Sequence, residues 1–314
     1  MKNFRWVIFL LIVAMLTMAQ EGCQSSGKGT DKINPYIGGT RGLSVLFADG
    51  APPEEVFDNK QYPFDIDVKL LNVGEKDILK DDVKIVISGL NPSDFGKTDN
   101  FFIKDGIEED VLATYKDFEG NIINPSEVYV TFPGLNFQDK LTGNFQLKAR
   151  ADVCYGYETE TVADGCIRSD VLSVDPDAVC QVNEEKTVYN SGAPIQVTGF
   201  TEQPSGTDKI RYLFTVKHVG SGRVYLPDSK CPSVRGSEDR LYFKIKSSVA
   251  DLTCSGLVGG SGKEGEIILR NGEQTIRCVQ QTKSQIDYID RITISLTYDY
   301  QDSYDETILV KKSD

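Results

Sequence analysis

The chain has 314 residues, 39% of them hydrophobic, and its 47 acidic residues outnumber its 34 basic ones to give a net charge of −13. This length corresponds to about two domains, and the apolar content is sufficient for folded cores. The acidic charge argues against nucleic-acid binding, because such a surface repels phosphate. A single histidine argues against most triad, zinc-finger and metal-hydrolase chemistries.

The N-terminal segment has the pattern of a secretion signal. Lys2 and Arg5 precede fourteen uncharged, mostly apolar residues, 6–19, which are too few for a membrane span of ~20 residues but typical of a signal-peptide core. Two cleavage sites are open: one after the small-residue sequence at 17–19, and one directly before Cys23, as in lipoprotein processing. A retained short anchor is the third alternative.

The residues that follow Cys23 favour the lipoprotein alternative. They are polar (QSSGKGTDK) and suit a flexible spacer above a membrane. We therefore predict a signal peptide at 1–22, lipid attachment at Cys23 and a flexible tether at 23–37.

The cysteines beyond Cys23 are even in number, which in an exported chain predicts three disulfides. They lie at Cys154, Cys166, Cys180, Cys231, Cys254 and Cys278. No two of them have CxxC spacing, which argues against zinc ribbons and redox motifs. Sequence alone does not choose the pairing. We favour Cys154 with Cys166, Cys254 with Cys278 and, by elimination, Cys180 with Cys231.

Beyond the tether the hydrophobic pattern repeats every two residues, which predicts strands with one exposed face. The alternating segments are 64–71, 83–87, 128–132, 145–151, 211–216, 241–245 and 292–298. Asn, Pro and Gly turn signals separate them, and no window holds a long helical stripe. We predict an all-β chain of two tandem immunoglobulin-like antiparallel β-sandwich domains, at 38–175 and 176–314.

The two halves share short patterns. Asn72-Val73-Gly74 and His218-Val219-Gly220 each follow an alternating strand, and Tyr155-Gly156-Tyr157 matches Tyr298-Asp299-Tyr300 near the end of each half. A duplicated sandwich is the simplest explanation of both matches, with the join near residues 174–178.

The strand and turn in FDIDVKLLNVGEKDI, followed by VKIVISGL, resemble the opening of CARDB-type and related immunoglobulin-like modules of microbial surface proteins. The stretch GTRGLSVLFADGAPPEEVFDNKQYPFDIDVKLLNVG, shortly after Cys23, is similar to a family of uncharacterised archaeal surface lipoproteins with two β-sandwich domains. The resemblance covers most of the chain and implies an exported, membrane-tethered module. Its motifs mark strands and turns, so it implies no catalytic residue here.

Each candidate for chemistry has a simpler structural explanation. His218 ends a strand, where turn hydrogen bonding is the favoured role. The segment Gly259–Gly265 departs from a phosphate-binding loop, because Leu257 and Glu264 replace its first glycine and its Ser/Thr, and a β-hairpin loop is favoured. For Tyr155, Tyr157, Tyr298 and Tyr300 we favour packing across a sheet, with a carbohydrate or partner platform as the alternative.

Acidic clusters leave Ca²⁺ as the one cofactor that the composition keeps open. Oxygen ligands could come from Asp299, Asp302, Asp305 and Glu306, or from Asp105, Glu108, Glu109 and Asp110. Neither group has EF-hand spacing, so we favour solvated acidic loops and expect no metal site.

These patterns predict an exported, lipid-anchored protein at the cell surface, on the extracellular face of the cytoplasmic membrane. We expect a non-catalytic binding or adhesion module, with the membrane and an extracellular protein or carbohydrate as partners. The alternative is a structural subunit of an envelope assembly or surface filament that self-associates through edge strands. A polysaccharide-active enzyme is the less favoured alternative, since any carboxylate pair among 47 acidic residues would be an arbitrary choice.

Overall fold

Strands with one buried face make up most of the described chain. The computed structural model describes residues 34–248, 251–282 and 284–313. In the segment 64–72 every second side chain is buried, and Ile66, Val68 and Leu70 have no exposed surface. The only helical elements in these ranges are short 3-10 turns. The prediction of an all-β, antiparallel class is confirmed.

Twenty strands lie within the described residues. Those of the first half are β1 (Leu43–Phe47), β2 (Glu55–Phe57), β3 (Phe64–Asn72), β4 (Val83–Ser88), β5 (Ile103–Asp105), β6 (Tyr115–Lys116), β7 (Ile122–Ile123), β8 (Glu127–Leu135) and β9 (Phe145–Ile167). Those of the second half are β10 (Glu184–Glu185), β11 (Val188–Asn190), β12 (Ile195–Pro204), β13 (Lys209–His218), β14 (Arg223–Tyr225), β15 (Arg240–Lys246), β16 (Leu252–Ser255), β17 (Val258–Ser261), β18 (Glu264–Ile268), β19 (Glu273–Gln281) and β20 (Tyr288–Lys311). The 3-10 turns are Lys80–Asp82, Pro92–Phe95 and Cys231–Ser233.

Two long strands organise the fold. β9 has 23 residues and β20 has 24, and they pair antiparallel from Phe145 opposite Val310 to Ile167 opposite Tyr288. They form the centre of a ten-stranded sheet with the order β17-β18-β15-β20-β9-β4-β5, to which β2, β11 and β14 add at its flanks. Among the described strands, β2 alone pairs in parallel, with the end of β20.

Two smaller sheets cover the long one. The three-stranded sheet β1-β3-β8 contacts residues from both long strands, and the five-stranded sheet β10-β12-β13-β19-β16 contacts β9 and β11. Their buried side chains join one continuous hydrophobic core. We call β1–β8, with residues 145–157 and 299–311, the first lobe, and β10–β19, with residues 158–167 and 288–298, the second lobe.

The predicted boundary at 175/176 does not coincide with a break in the long sheet. Because β20 returns along β9, the end of the second predicted domain lies in the first lobe, where Ile308 and Val310 are fully buried. The chain from Pro35 onward forms one compact unit. The division into domains 38–175 and 176–314 therefore stays a prediction. The predicted signal peptide, Cys23 and most of the tether lie outside the described residues.

Strand registers agree with the predicted duplication. Asn72 at the end of β3 pairs with Leu43, and His218 at the end of β13 pairs with Ile195. On the other side of these strands, Leu71 pairs with Glu127 and Lys217 pairs with Glu273. The two smaller sheets thus repeat the same arrangement, with β1, β3 and β8 matching β12, β13 and β19.

The six cysteines of the described chain form three disulfides, which indicate an oxidising environment outside the cytoplasm. The pairs are Cys154–Cys231, Cys166–Cys180 and Cys254–Cys278. The prediction for Cys254 and Cys278 is confirmed, since they are opposite each other on β16 and β19.

The other two predicted pairings, Cys154 with Cys166 and Cys180 with Cys231, are wrong. Cys154 and Cys166 lie on the same continuous strand, β9, with no hairpin between them. At ~3.3 Å per residue they are about 40 Å apart, whereas a disulfide needs Cα atoms within about 7 Å. Cys154 instead attaches the loop after β14 to the outer face of the long sheet.

No helix among the described residues is long and apolar enough to cross a membrane.

Candidate binding site

The four tyrosines that the sequence singles out form a buried cluster at the centre of the long sheet. Tyr157 lies opposite Tyr298, and Tyr155 opposite Tyr300. None is more than 3% exposed, and neighbouring rings are 5.8–6.2 Å apart, mostly edge to face. The prediction that they pack across the sheet is confirmed. They are not accessible as a binding platform.

Their hydroxyl groups attach neighbouring loops to the long sheet. The Tyr155 hydroxyl donates to Asp302 at 2.8 Å and accepts from the Leu43 N–H at 3.1 Å. The Tyr157 hydroxyl donates to the Gly192 carbonyl at 2.9 Å. Burial raises the pKa of Tyr157, so its hydroxyl stays a neutral donor at physiological pH. This cluster stabilises the junction of the two lobes.

Gly74 has no room for a side chain beside this cluster. A Cβ atom there would lie 1.9 Å from the Tyr157 hydroxyl oxygen and 2.6 Å from the Gly192 carbonyl oxygen. Because both atoms are held in a packed junction, we expect Gly74→Ala to lower the free energy of unfolding by about 2–3 kcal/mol. Urea denaturation measures this change. Gly143→Ala is the matched control, since nothing lies within 4 Å of its Cβ position; equal midpoints for the two variants would contradict the close contact.

The His218 side chain forms a hydrogen bond, but its partner is Tyr300 of the tyrosine cluster on β20 and not its own turn. The His218 Nε2 lies 2.8 Å from the Tyr300 hydroxyl oxygen, which also accepts the Gly222 N–H. Burial lowers the pKa of His218, so the ring is neutral near pH 7. The favoured hairpin at Gly259–Gly265 is confirmed, because β17 and β18 pair across it.

The acidic side chains at 299–306 do not converge. Successive side chains of β20 point to opposite faces, so Asp299 and Asp302 lie on different sides of the sheet. Asp299 accepts the Lys230 N–H at 2.7 Å, and Asp305 forms an ion pair with Lys148 at 2.6 Å. In the second cluster, Asp105 pairs with Lys230 at 3.1 Å and Asp110 accepts the Lys80 N–H. Among the described residues, no group of three or more His, Cys, Asp or Glu side chains is arranged to hold a metal.

A buried acid that sequence reasoning missed holds the end of β9. Glu202 on β12 is fully buried, and both of its carboxylate oxygens accept the Cys166 N–H, at 3.0 and 3.1 Å. Lys186 lies 3.1 Å from the same carboxylate. Burial outweighs these favourable contacts and raises the pKa of Glu202 to about 7.

This pKa predicts a pH dependence of stability. Between pH 4.5 and 7 the unfolded carboxyl ionises while folded Glu202 keeps its proton, so stability is lost as pH rises through this window. We expect the free energy of unfolding to fall by about 3 kcal/mol across it. In urea titrations at several pH values, Glu202→Gln is expected to flatten this slope, whereas Glu185→Gln, at an exposed neighbour on β10, keeps it. An unchanged slope in Glu202→Gln would show that other groups cause it.

The open side of the first lobe forms a cleft. β8 is the last strand of the three-stranded sheet, and β5 is an end strand of the long sheet. Between them lies a cavity of about 620 Å³, lined by Asp81, residues 104–108 and residues 129–131 with Pro133. Tyr129 on its wall is 53% exposed. The cleft thus combines an exposed aromatic ring with two sheet edges.

Charge in the cleft is mainly negative. Its charged side chains are Asp81, Asp105, Glu108 and Lys104. The Lys104 ammonium lies 5.3 Å from the centre of the Phe132 ring, a cation–π contact. These groups favour a partner that carries positive charge close to backbone groups able to form hydrogen bonds.

Backbone groups of β8 face this cleft. The backbone carbonyl of Asp67 on β3 accepts the Ala48 N–H, and the backbone N–H of Asp67 donates to the Ala51 carbonyl. Both backbone groups of Asp67 thus point to the β1 side of β3. Thr131 is the partner of Asp67 across the β3–β8 pair. Asp67 and Thr131 therefore form a non-hydrogen-bonded pair of the antiparallel ladder. In such a pair the backbone groups of each residue point away from the partner strand, so the N–H and C=O of Thr131 face the open edge.

In the second lobe, further strands cover the two sheet edges that correspond to β8 and β5. There β16 pairs with β19, the counterpart of β8, and β17 extends the long sheet beyond β18. The described part of the first lobe adds no strand outside β8 or β5. At the edges of β8 and β5 the described first lobe is thus open where the second lobe has a further strand.

The chain matches no known protein-family model, and no curated protein matches it. The resemblance to archaeal surface lipoproteins with CARDB-like domains therefore stays a prediction.

Proposed function

We propose that this protein is exported, attached to the membrane through a lipid on Cys23, and acts at the cell surface as a non-catalytic binding module. The observation that carries the proposal is the disulfide framework. The six cysteines from Cys154 to Cys278 pair among themselves, so none remains as a partner for Cys23. An unmatched cysteine shortly after a secretion-type segment is the expected site of a lipid.

Recognition in this proposal takes place in the cleft of the first lobe. Its exposed Tyr129, its carboxylates and the outward backbone groups of β8 form an accessible surface on a rigid, disulfide-braced support. The tyrosine cluster, His218 and the acids of β20 are already engaged in internal contacts. A basic extracellular polypeptide is the partner that fits the charge of the cleft.

Cell fractionation of a Cys23→Ser variant tests the membrane attachment. We expect the wild-type chain in the membrane fraction, accessible to protease added outside intact cells, and the Cys23→Ser chain in the medium. Ser26→Ala, in the same polar segment, is the control and stays with the membrane. Retention of Cys23→Ser on the membrane together with a lipid-free intact mass of the wild-type chain, or protection of the wild-type chain inside the cell, would overturn the proposal.

The open edge of β8 favours a second candidate function, a subunit of an envelope assembly joined by strand addition. An added strand needs the outward N–H of Thr131, which Thr131→Pro removes at an edge position where proline is tolerated. Thr131→Ala keeps that N–H. An oligomer that is lost in Thr131→Pro and kept in Thr131→Ala would support assembly, whereas a monomer in sizing chromatography supports the binding module.

A further inference from the structure

A small hairpin, β6–β7, projects from the first lobe. Its two strands pair with each other and with no other described strand. The Asp117 carboxylate shapes its turn by accepting the N–H groups of Glu119 and Asn121 at 2.9 and 2.8 Å. The turn is therefore a defined structure that presents its tip in a fixed way.

Exposed apolar side chains lie at the tip and on the sides of this hairpin. Phe118 at the tip is 98% exposed, and Tyr115 and Ile122 are each 56% exposed. Ile123 lies directly opposite Tyr115, so these two side chains share a face. Apolar side chains gathered in this way on a surface mark a contact with a partner or a membrane.

The hairpin lies where the predicted tether joins the folded body. Lys116 donates to the Tyr36 carbonyl at 2.8 Å. Directly after Tyr36 in the chain, the N–H groups of Ile37 and Gly38 donate to the Glu75 carboxylate, each at 2.9 Å. The beginning of the described chain is thus fixed against the base of the hairpin.

The length of chain before this point limits the distance to the membrane. Tyr36 lies thirteen positions after Cys23. Even at full extension this stretch spans at most about 45 Å. A lipid on Cys23 therefore keeps the apolar hairpin within this distance of the bilayer surface.

We propose that the β6–β7 hairpin inserts Phe118 and its apolar neighbours into the interface of the bilayer that holds the Cys23 lipid. The inference rests on the proposed membrane attachment and adds a second contact to it. One lipid chain binds a membrane only marginally, so an aromatic hairpin beside the tether strengthens attachment and fixes the orientation of the body. Asp117 and Glu119 flank Phe118, so the hairpin fits a zwitterionic surface better than an anionic one.

Fluorescence of single-tryptophan variants tests this insertion. In a Trp6→Phe background the full chain has no other tryptophan, so Phe118→Trp reports on the hairpin alone. Val174→Trp is the matched control, because Val174 is apolar and 93% exposed but lies outside the hairpin. With phosphatidylcholine vesicles we expect a blue shift of tryptophan emission at position 118, and quenching by brominated acyl chains, but neither effect at position 174.

A second pair of variants measures the strength of the contact. Phe118→Asp is expected to lower the partition of the chain into these vesicles by roughly tenfold, whereas Val174→Asp leaves it unchanged. Matching thermal melts show that the exposed substitutions leave the fold intact. If emission at positions 118 and 174 responds alike, or if Phe118→Asp has no effect, the inference is wrong.

The two proposals fail in distinguishable ways. The same measurements on the Cys23→Ser chain, at high vesicle concentration, report on the hairpin without a lipid at that position. Insertion there, together with a lipid-free intact mass of the wild-type chain, would support the hairpin and overturn the lipid attachment. If the Phe118→Trp variant shows no emission response to vesicles while Cys23→Ser is released normally, only the proposal of hairpin insertion is overturned.

Discussion

Residues 34–175 expressed alone are expected to lack a cooperative unfolding transition. In the whole chain β20 pairs along the full length of β9, and the buried Ile308 and Val310 complete the core of the first lobe. A fragment ending at 175 loses all of these contacts and leaves one side of a 23-residue strand unpaired. Urea denaturation followed by near-ultraviolet circular dichroism measures the outcome.

Co-expression with residues 176–314 is the control for this experiment. Because the two pieces then contain every strand of the long sheet, we expect them to associate and regain a single transition. If residues 34–175 alone unfold cooperatively with a native-like near-ultraviolet spectrum, the division into two independent tandem domains is correct and the shared sheet is dispensable.

Removal of the Cys154–Cys231 disulfide is expected to cause the largest stability loss among the three. It closes a loop of 77 residues, whereas Cys166–Cys180 closes one of 14. Chain-entropy arguments give roughly 4.5 kcal/mol for the longer loop and roughly 3 kcal/mol for the shorter one. Paired Cys→Ala variants in urea titrations measure the difference.

The Cys254→Ala/Cys278→Ala variant is the internal reference for this order. Its loop of 24 residues places the expected loss between the other two. A smaller loss for the Cys154–Cys231 pair than for Cys166–Cys180 would contradict the order that loop length predicts.

Sequence periodicity is sufficient to predict the strands but not their lengths. The alternation from 64 to 71 corresponds closely to β3. By contrast, β9 continues through Gly156 and Gly165 to Ile167, beyond the alternating segment that ends at 151. At Gly165 a Cβ atom would lie 2.9 Å from Ile292 Cδ1, so this glycine serves close packing, which depends on a strand distant in sequence.

The same reason explains the wrong disulfide pairings. The prediction that pairs Cys154 with Cys166 assumes a short hairpin between them, and the sequence is compatible with one as long as the partner strand is unknown. Once β20 pairs along β9, both cysteines must find partners elsewhere. Disulfide pairing depends on which strands are neighbours in the sheet, and the local sequence around each cysteine does not show this.

The cleft between β8 and β5 could not be predicted from the sequence for a related reason. The pattern around Tyr129 predicts a strand with one exposed face, but it does not show whether the edge of that strand has a neighbour. In the described chain β19, the counterpart of β8, pairs with a further strand, β16, whereas β8 is the last strand of its sheet. The tyrosine pairs, in contrast, were predictable, because residues two apart on a strand share a face.

Intact mass of the membrane-extracted protein, with and without reduction, tests the central claim that this is an exported, disulfide-braced and lipid-anchored chain. We predict the mass of residues 23–314 plus a lipid, and a gain of six hydrogens on reduction of the three disulfides. A lipid-free mass that begins at Gln20, or free thiols before reduction, would contradict the claim.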